Sequence, residues 1–424
     1  MERSVDPNVF ETANAGFAQA LYEDFLRDPE SVGPEWRRLF ESGRVGEAPG
    51  SNGDGTVGST DGRTAGEQPP AAATPTVPTA PTVPTVLIKG PAARLVQNMN
   101  ESLTVPTATT FREIPVRQLE ASRARFNAGL KAAGRPEKAS FTHFIAWALV
   151  QAAKQHPVMG HSLAMIEGAP HRVTPDGVHL GLAVDVERKD GSRGLVVPVL
   201  KHAETMGYAE FQAAYDGLVD KARGNKLMPD AFAGGTMTLT NPGGLGTVAS
   251  VPRLMAGQGS IIAVGAIGYP PEFATAAPET VAQLGLSKVM TITSTYDHRI
   301  IQGAESGLFL ALIDELLRGQ HEFYDQIFSD LGIRYRPYRL SMDVNPAILG
   351  EERRREVVRK QARVFELINA YRVRGHLIAD IDPLGWKKVQ YHPELDIETY
   401  GLTIWDLDRQ FIADRKSTRL NSSH

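Results

Sequence analysis

Residues 291–303 read Thr-Ile-Thr-Ser-Thr-Tyr-Asp-His-Arg-Ile-Ile-Gln-Gly, and this stretch decides the fold. Its first six residues are β-branched, small or aromatic, which predicts a strand. A helical pattern follows, so Asp297, His298 and Arg299 are expected at a strand-to-helix junction. A histidine between an acid and an arginine is more often a structural hydrogen-bonding group than a catalyst. Strand ends are, however, places where a rigid sheet can present a reactive side chain.

Two upstream stretches favour the catalytic interpretation. Residues 234–244 read Gly-Gly-Thr-Met-Thr-Leu-Thr-Asn-Pro-Gly-Gly, and residues 258–265 read Gln-Gly-Ser-Ile-Ile-Ala-Val-Gly. Together with the Tyr-Asp-His-Arg run and Gly303, they resemble the catalytic domain of 2-oxoacid dehydrogenase acyltransferase components. The resemblance extends over residues 86–324. It implies an α/β fold with a mixed sheet, like that of chloramphenicol acetyltransferase, and acyl transfer between dihydrolipoamide and coenzyme A.

The resemblance also implies roles for individual residues. A thiol with a pKa of about 8.5 is mostly protonated at neutral pH, and the thiolate is the nucleophile. His298 is the predicted general base that removes this proton, and the Thr240 hydroxyl is the predicted donor to the oxyanion. Asp297 and Arg299 are expected to anchor the junction. Gln302 stands where the family usually has an acid, so it can orient the loop but carries no charge for an ion pair.

The two ends of the chain resemble a different enzyme component. Residues 25–40, and the runs at 361–385 and 392–408, are similar to the N-terminal arm and the opening of the thiamine-dependent component of 2-oxoglutarate dehydrogenase. This order of segments resembles the actinobacterial multifunctional 2-oxoglutarate dehydrogenase/decarboxylase family, which has a fused succinyltransferase domain. The resemblance implies a component of the tricarboxylic acid cycle.

The same resemblance implies partners and cofactors. Coenzyme A is the predicted co-substrate, the lipoyl group is carried by a separate lipoylated acyltransferase protein, and dihydrolipoamide dehydrogenase is a further partner. Thiamine diphosphate and Mg²⁺ are expected only in a C-terminal part of the parent protein that this chain lacks. The related fold usually trimerises and shares its active site between subunits, so a trimer-based assembly is expected.

Composition limits the other function classes. The chain has 424 residues with 49 acidic and 45 basic side chains, so its formal net charge of −4 does not indicate bulk binding of nucleic acid. It contains no cysteine, which excludes disulfides, thiolate nucleophiles and cysteine-ligated metals. No metal site is predicted. The N-terminus lacks a secretory h-region and no apolar run reaches the roughly 20 residues of a membrane span, so a cytoplasmic protein is expected.

The sequence divides into five predicted parts: a helical arm at 1–43, a disordered Pro/Ala/Thr/Gly linker at 44–85, the succinyltransferase domain at 86–324, the truncated thiamine-dependent region at 325–414, and a non-native tail at 415–424. In the arm, Phe17, Leu21 and Phe25 form an apolar stripe, and a second helix follows Pro34. The arm is either a cap folded back on another domain or, as the resemblance favours, a docking segment for other subunits.

Regular elements are expected throughout the remaining chain. Strands are predicted at 108–116, 235–240, 260–267 and 288–296, with a hairpin formed by 179–186 and 194–200. Helices are predicted at 117–133, 141–156, 208–223, 303–318 and 351–376. Two alternative functions stay open: a catalytically silent acyltransferase-like assembly core, and an acyltransferase for another acyl group.

Overall fold

The computed structural model describes residues 21–22, 24–41, 87–88, 91–187, 193–333, 335–343, 350–379, 391–413 and 416–419. The predicted linker, and Phe17 of the predicted arm stripe, lie outside these residues. The α-helices are α1 Pro34–Glu41, α2 Pro91–Ser102, α3 Arg117–Ala132, α4 Phe141–Gln155, α5 Tyr208–Arg223, α6 Pro278–Leu284, α7 Gly303–Leu317, α8 Phe323–Asp330 and α9 Gly350–Arg374. The five helices expected between residues 117 and 376 are confirmed.

The strands form one large sheet and three small ones. They are β1 Thr107–Pro115, β2 Ser162–Ile166, β3 Ala169–Val173, β4 Leu180–Leu182, β5 Val184–Glu187, β6 Arg193–Val196, β7 Val199–Leu200, β8 Met237–Thr240, β9 Ser260–Val264, β10 Val289–Asp297, β11 Gln410–Ala413 and β12 Lys416–Arg419. The large sheet has the order β1-β10-β9-β8-β4-β7, while β2-β3, β5-β6 and β11-β12 are separate pairs. The predicted hairpin is confirmed, since β4 pairs with β7 and β5 with β6 in antiparallel register.

The large sheet is mixed, as predicted. β1, β10 and β9 are successively antiparallel, whereas β9, β8 and β4 are parallel. Side chains alternate between the two faces of a strand. One face is apolar, and its residues share a single buried core with helices α4 and α7. They include Ile114, Met237, Leu239, Ile262, Val264, Met290 and Ile292.

The opposite face of the sheet carries threonines. Thr109 and Thr295 share a hydrogen bond of 2.9 Å between their hydroxyls, and the Thr293 hydroxyl donates to the Ser250 carbonyl at 2.6 Å. The Thr238 hydroxyl donates to Gln258 Oε1 at 2.9 Å. The buried hydroxyls on this face thus have partners, and the segment after β8 covers part of it through Ser250 and through Leu254, which packs with Val105 and Ile261.

The N-terminal arm packs on the acyltransferase domain. Trp36 and Phe40 are buried in the same core as the sheet. The Trp36 indole donates to the Leu227 carbonyl at 3.1 Å, and its ring lies 6.3 Å from that of Phe232. The apolar side of α1 is thus covered by the same chain, which is the arrangement expected of a folded-back cap. The docking role stays a prediction.

The C-terminal segment has its own small core, which also touches the acyltransferase domain. Helix α9 contributes Val364 and Leu367 to a cluster with Ile404 and Phe411, and Ala121 of α3 belongs to the same cluster. The Lys360 ammonium donates to both carboxylate oxygens of the fully buried Asp406 at 2.8 Å. The predicted non-native tail pairs through β12 with β11, and residues 420–424 lie outside the described part.

Candidate active site

His298 stands on a turn that its neighbours hold tightly. Strand β10 ends at Asp297, whose buried carboxylate accepts from the Arg299 amide at 3.0 Å and from Arg299 Nη2 at 2.7 Å. The Asp297 carbonyl also accepts from the amides of Ile300 and Ile301. The hydrogen bonds that the guanidinium of Arg299 donates to Asp297 raise the pKa of Arg299. Asp297 and Arg299 are therefore paired within a single turn, and their role as anchors of the junction stays a prediction.

The imidazole of His298 is accessible while its backbone is fixed. The residue is exposed, and its amide donates to the Pro106 carbonyl at 2.9 Å. Its ring lies edge-on to the Tyr296 ring at a centroid distance of 5.8 Å. A reactive group on a rigid, open turn can reach a bound thiol without reorganising the sheet behind it.

Gln302 caps the helix that follows the turn. Its side chain accepts from the Glu305 amide, and its own amide donates to Glu305 Oε2 at 2.7 Å. This reciprocal pair satisfies two of the free amides at the start of α7. Gln302 therefore caps α7, while its expected role in orienting the loop stays a prediction.

Thr240 lies at the end of β8 and is partly exposed. The next residue, Asn241, donates from Nδ2 to the Thr142 hydroxyl at 2.9 Å. The chain then turns through Pro242–Leu245, and Gly243 lies directly against the backbone of Gly265. A Cβ on Gly243 would overlap that backbone, so the glycine allows the close approach that fixes Thr240 at this edge of the sheet.

Within one chain, Thr240 and His298 lie at opposite edges of the sheet, meaning here the two opposite ends of its strands. The register places Thr240 beside Ala263, and Ala263 beside Thr293 of the antiparallel β10. His298 follows five residues after Thr293, which corresponds to about 17 Å along the strands and about 10 Å across two strand spacings. Asp297, His298, Arg299 and Gln302 are thus brought together, and Thr240 is not.

His161 is a further residue near the turn that the sequence did not indicate. Its carbonyl lies against Gly259, which in turn accepts the Asp297 amide through its own carbonyl. Burial and the charge of Arg172 lower the pKa of His161, while Glu305 opposes that shift. The proximity comes from the packing of the 157–161 turn against β9, and no sequence motif reports such a long-range contact.

One group of side chains has the composition of a metal site. Ligand atoms of Asp176, His179 and His202 lie within 4.8 Å of one another. However, Nδ1 of His179 accepts the His202 amide at 3.1 Å, so a neutral imidazole carries its proton on Nε2. That Nε2 faces Asp176 Oδ1 at 2.7 Å. The hydrogen bonds therefore describe a donor–acceptor pair, in which Nε2 has no lone pair for a metal ion.

Comparison with known proteins decides the family. Residues 81–324, more than half of the chain, match the family described as 2-oxoacid dehydrogenases acyltransferase (catalytic domain). The chain belongs to this acyltransferase family. Residues 8–45 also match the 2-oxoglutarate dehydrogenase N-terminus. Both predicted likenesses, and with them the predicted mixed-sheet acyltransferase fold, are confirmed.

Curated relatives align with most of the chain. A multifunctional 2-oxoglutarate metabolism enzyme of Mycolicibacterium vanbaalenii is 44% identical over 439 aligned residues, covering 94% of this chain and 34% of the relative. One from a Mycobacterium species is 50% identical over 77% of this chain and 25% of the relative. The chain thus spans about a third or less of the length of these curated relatives.

A solved structure of the dihydrolipoamide acetyltransferase of Azotobacter vinelandii is similar to this chain. The two are 27% identical with a TM-score of 0.45, and the alignment covers 56% of this chain and 97% of the other.

No helix in the described part of the chain combines the length and the apolar character that crossing a membrane requires.

Proposed function

We propose that this acyltransferase moves a succinyl group from dihydrolipoamide to coenzyme A. The observation that carries the proposal is the exposed His298 on a turn clamped by Asp297, in a chain of the acyltransferase family. The choice of succinyl rests on the 2-oxoglutarate dehydrogenase N-terminus at residues 8–45 and on the names of the relatives. The same names support a role in the 2-oxoglutarate dehydrogenase complex.

The proposed reaction is a thioester exchange that conserves charge and protons. Neutral His298 takes the proton of the coenzyme A thiol, and the resulting thiolate attacks the carbonyl carbon of succinyl-dihydrolipoamide. The Thr240 hydroxyl donates a hydrogen bond to the tetrahedral oxyanion. Collapse breaks the bond to the lipoyl sulfur, which receives the proton back from His298. General-base help contributes about 10²- to 10⁴-fold, and one oxyanion donor about 10²- to 10³-fold.

We propose that each active site is built from two copies of the chain. In one copy the two residues are separated by two strand spacings and about five residues along the strand, too far to contact one thioester. A ring of three copies, each presenting the His298 edge to the Thr240 edge of the next, would bring them together. Beside Thr240, the side chains of Leu245 and Val248 are 72% and 69% exposed, which suits a surface that a neighbouring copy covers.

The remaining partners belong to the proposal for the longer protein. The acyl group would arrive on the lipoyl arm of a separate acyltransferase protein, and dihydrolipoamide dehydrogenase would reoxidise that arm. Decarboxylation of 2-oxoglutarate, with thiamine diphosphate and Mg²⁺, is proposed for the parent protein, and no residue of this chain is assigned to it. We place the assembly in the cytoplasm.

The second candidate is a silent assembly core, suggested by the uncharged Gln302 at a position where the family resemblance leads us to expect an acid. An assay of succinyl-coenzyme A formation from succinyl-dihydrolipoamide separates the two. His298→Ala should lower turnover by about 10²- to 10⁴-fold while the thermal midpoint stays unchanged. His321→Ala is the matched control, because this exposed histidine lies beyond the far end of α7.

Two results would count against the proposal. Absence of coenzyme A-dependent turnover in the wild-type protein would leave the silent core as the better candidate. Full turnover of the His298→Ala variant would exclude His298 as the base while leaving the succinyltransferase activity in place.

A further inference from the structure

A cleft lies where the acyltransferase domain meets the C-terminal segment. Its volume is about 380 Å³, within the range of small-molecule sites. One wall comes from the acyltransferase domain, through Arg117 and Gln118 at the start of α3 and Arg318 at the end of α7. The other wall comes from residues 340–342 and Trp405. The cleft is remote from the His298 turn, because α7 runs between Arg318 and that turn.

The cleft has an excess of positive charge. Asp314 is buried and receives two arginines: Nη2 of Arg112 at 2.8 Å and Nε of Arg318 at 2.9 Å. Among the described residues, no carboxylate other than that of Asp314 lies within ion-pair distance of the Arg112 or the Arg318 guanidinium. One positive charge is therefore uncompensated, and Arg318, about a third exposed, directs it to the cleft. Arg117, by contrast, is neutralised by Asp408.

Two more polar atoms of the acyltransferase wall lack partners. Arg117 Nε and Gln118 Oε1 are buried and have no hydrogen bond to any described residue. Gln118 is 2% exposed, and its Nε2 is already used by the Tyr338 carbonyl and the Ser122 hydroxyl. Buried groups of this kind usually have a partner, so their position beside the cleft is consistent with an absent bound group.

The facing wall is apolar. Trp405 donates its indole N–H to the Ser341 carbonyl at 2.7 Å, which holds the ring against the 340–342 strap. The Arg117 guanidinium lies 5.5 Å from the centre of the Trp405 ring. Leu340 and Met342 complete this side, and Met342 is 86% exposed. A ligand would therefore meet a cation on one side and an aromatic and aliphatic surface on the other.

We propose that this cleft binds a small organic carboxylate with a flat or branched apolar body. The carboxylate would pair with Arg318, whose planar guanidinium matches a carboxylate in a forked geometry. The body would lie against Trp405 and Met342. Because the two walls belong to different parts of the chain, the ligand would also hold the C-terminal segment on the acyltransferase domain.

Ligand-observed NMR titration of the full 424-residue chain tests the proposal. The probe is phenylacetate, compared with acetate, which lacks the body, and 2-phenylethanol, which lacks the charge. Phenylacetate should bind saturably with a dissociation constant of about 1 mM or lower. Each comparison compound should bind at least about tenfold more weakly, because it engages only one wall.

A pair of variants tests the location. Met342→Glu places a negative charge at the exposed rim and should weaken phenylacetate binding about tenfold, since like charges repel. Met342→Gln has nearly the same shape without the charge and should bind within about threefold of wild type. Neither change touches the Arg318–Asp314 pair. Equal affinity of the two variants, equal binding of acetate and phenylacetate, or no saturation at about ten times the expected constant would overturn the proposal.

Discussion

A complementation experiment gives the sharpest prediction of the two-copy active site. His298→Ala removes the base and Thr240→Val removes the hydroxyl while keeping the shape of the side chain. Each variant alone should be nearly inactive, with losses of about 10²- to 10⁴-fold and 10²- to 10³-fold. When the two are combined in one assembly, a site that takes His298 from the Thr240→Val chain and Thr240 from the His298→Ala chain is intact.

The expected recovery follows from counting sites. In a ring with one heterologous contact per subunit, random mixing of equal amounts makes about one site in four intact. Activity should therefore return to about a quarter of the wild-type value, far above the residual activity of either variant alone. If both residues acted within one chain, no site would be intact in any mixture.

A second mixture also distinguishes a site shared between copies from a site within one chain. Wild-type chains are mixed in equal amounts with the double variant His298→Ala/Thr240→Val. Sites shared between copies predict about a quarter of wild-type activity, whereas sites within one chain predict about a half.

The assemblies are prepared by coexpressing equal amounts of two differently tagged chains without selecting for composition, and a sample purified through both tags in succession shows that mixed assemblies form. Succinyl-coenzyme A formation is then measured per site. Failure of the two single variants to complement, in assemblies shown to contain both chains, would refute the two-copy site and the pairing of Thr240 with His298.

Three further predictions concern stability. Lys360→Ala leaves Asp406 buried with fewer partners and should destabilise the C-terminal cluster by about 3–5 kcal/mol in chemical denaturation. Trp36→Ala removes the indole contact with Leu227 and should release the arm, seen as faster proteolysis within residues 24–41. Burial lowers the pKa of His143, so the unfolded chain binds more protons, and stability should fall as the pH drops below about 6.5.

Each stability prediction has a control. Arg359→Ala breaks an exposed ion pair on α9 and should cost less than about 1 kcal/mol, and Leu26→Ala removes a side chain that is 64% exposed. If these changes matched the effects of Lys360→Ala and Trp36→Ala, burial would not explain those effects. His143→Gln should flatten the acid-side loss of stability. For a single proton, this loss cannot exceed about 1.4 kcal/mol per pH unit. An unchanged pH profile would assign that loss to other groups.

Local patterns predicted most of the elements of the acyltransferase domain. The run at 291–296 predicted a strand because its residues are β-branched, small or aromatic, and β10 is there with Met290 and Ile292 on the apolar face. The hairpin β2–β3 was not predicted, because most of its residues are exposed and provide no alternation of apolar and polar positions. Helix α8 was likewise missed, although Phe323 and Ile327 belong to the acyltransferase core.

The relation between the two predicted catalytic residues could not be read from the sequence. Thr240 ends strand β8 and His298 directly follows strand β10, and the carboxyl ends of two strands meet at one edge only if the strands are parallel. Here β8 and β9 are parallel while β9 and β10 are antiparallel, which sends Thr240 and His298 to opposite edges. Strand order and direction depend on pairing between residues far apart in sequence, and a local pattern contains no information on them.

The structure also shows which contacts Gln302 makes at the position where the family resemblance predicts an acid. An acid at this position would serve to hold an arginine, yet Arg299 already bonds to Asp297 through its backbone amide and its guanidinium. The amide of Gln302 is held by Glu305, and its side chain caps α7. The ion pair and the helix cap thus fix the two ends of the turn separately. Neither the contacts that hold Arg299 nor those that begin α7 therefore involve a charge at residue 302.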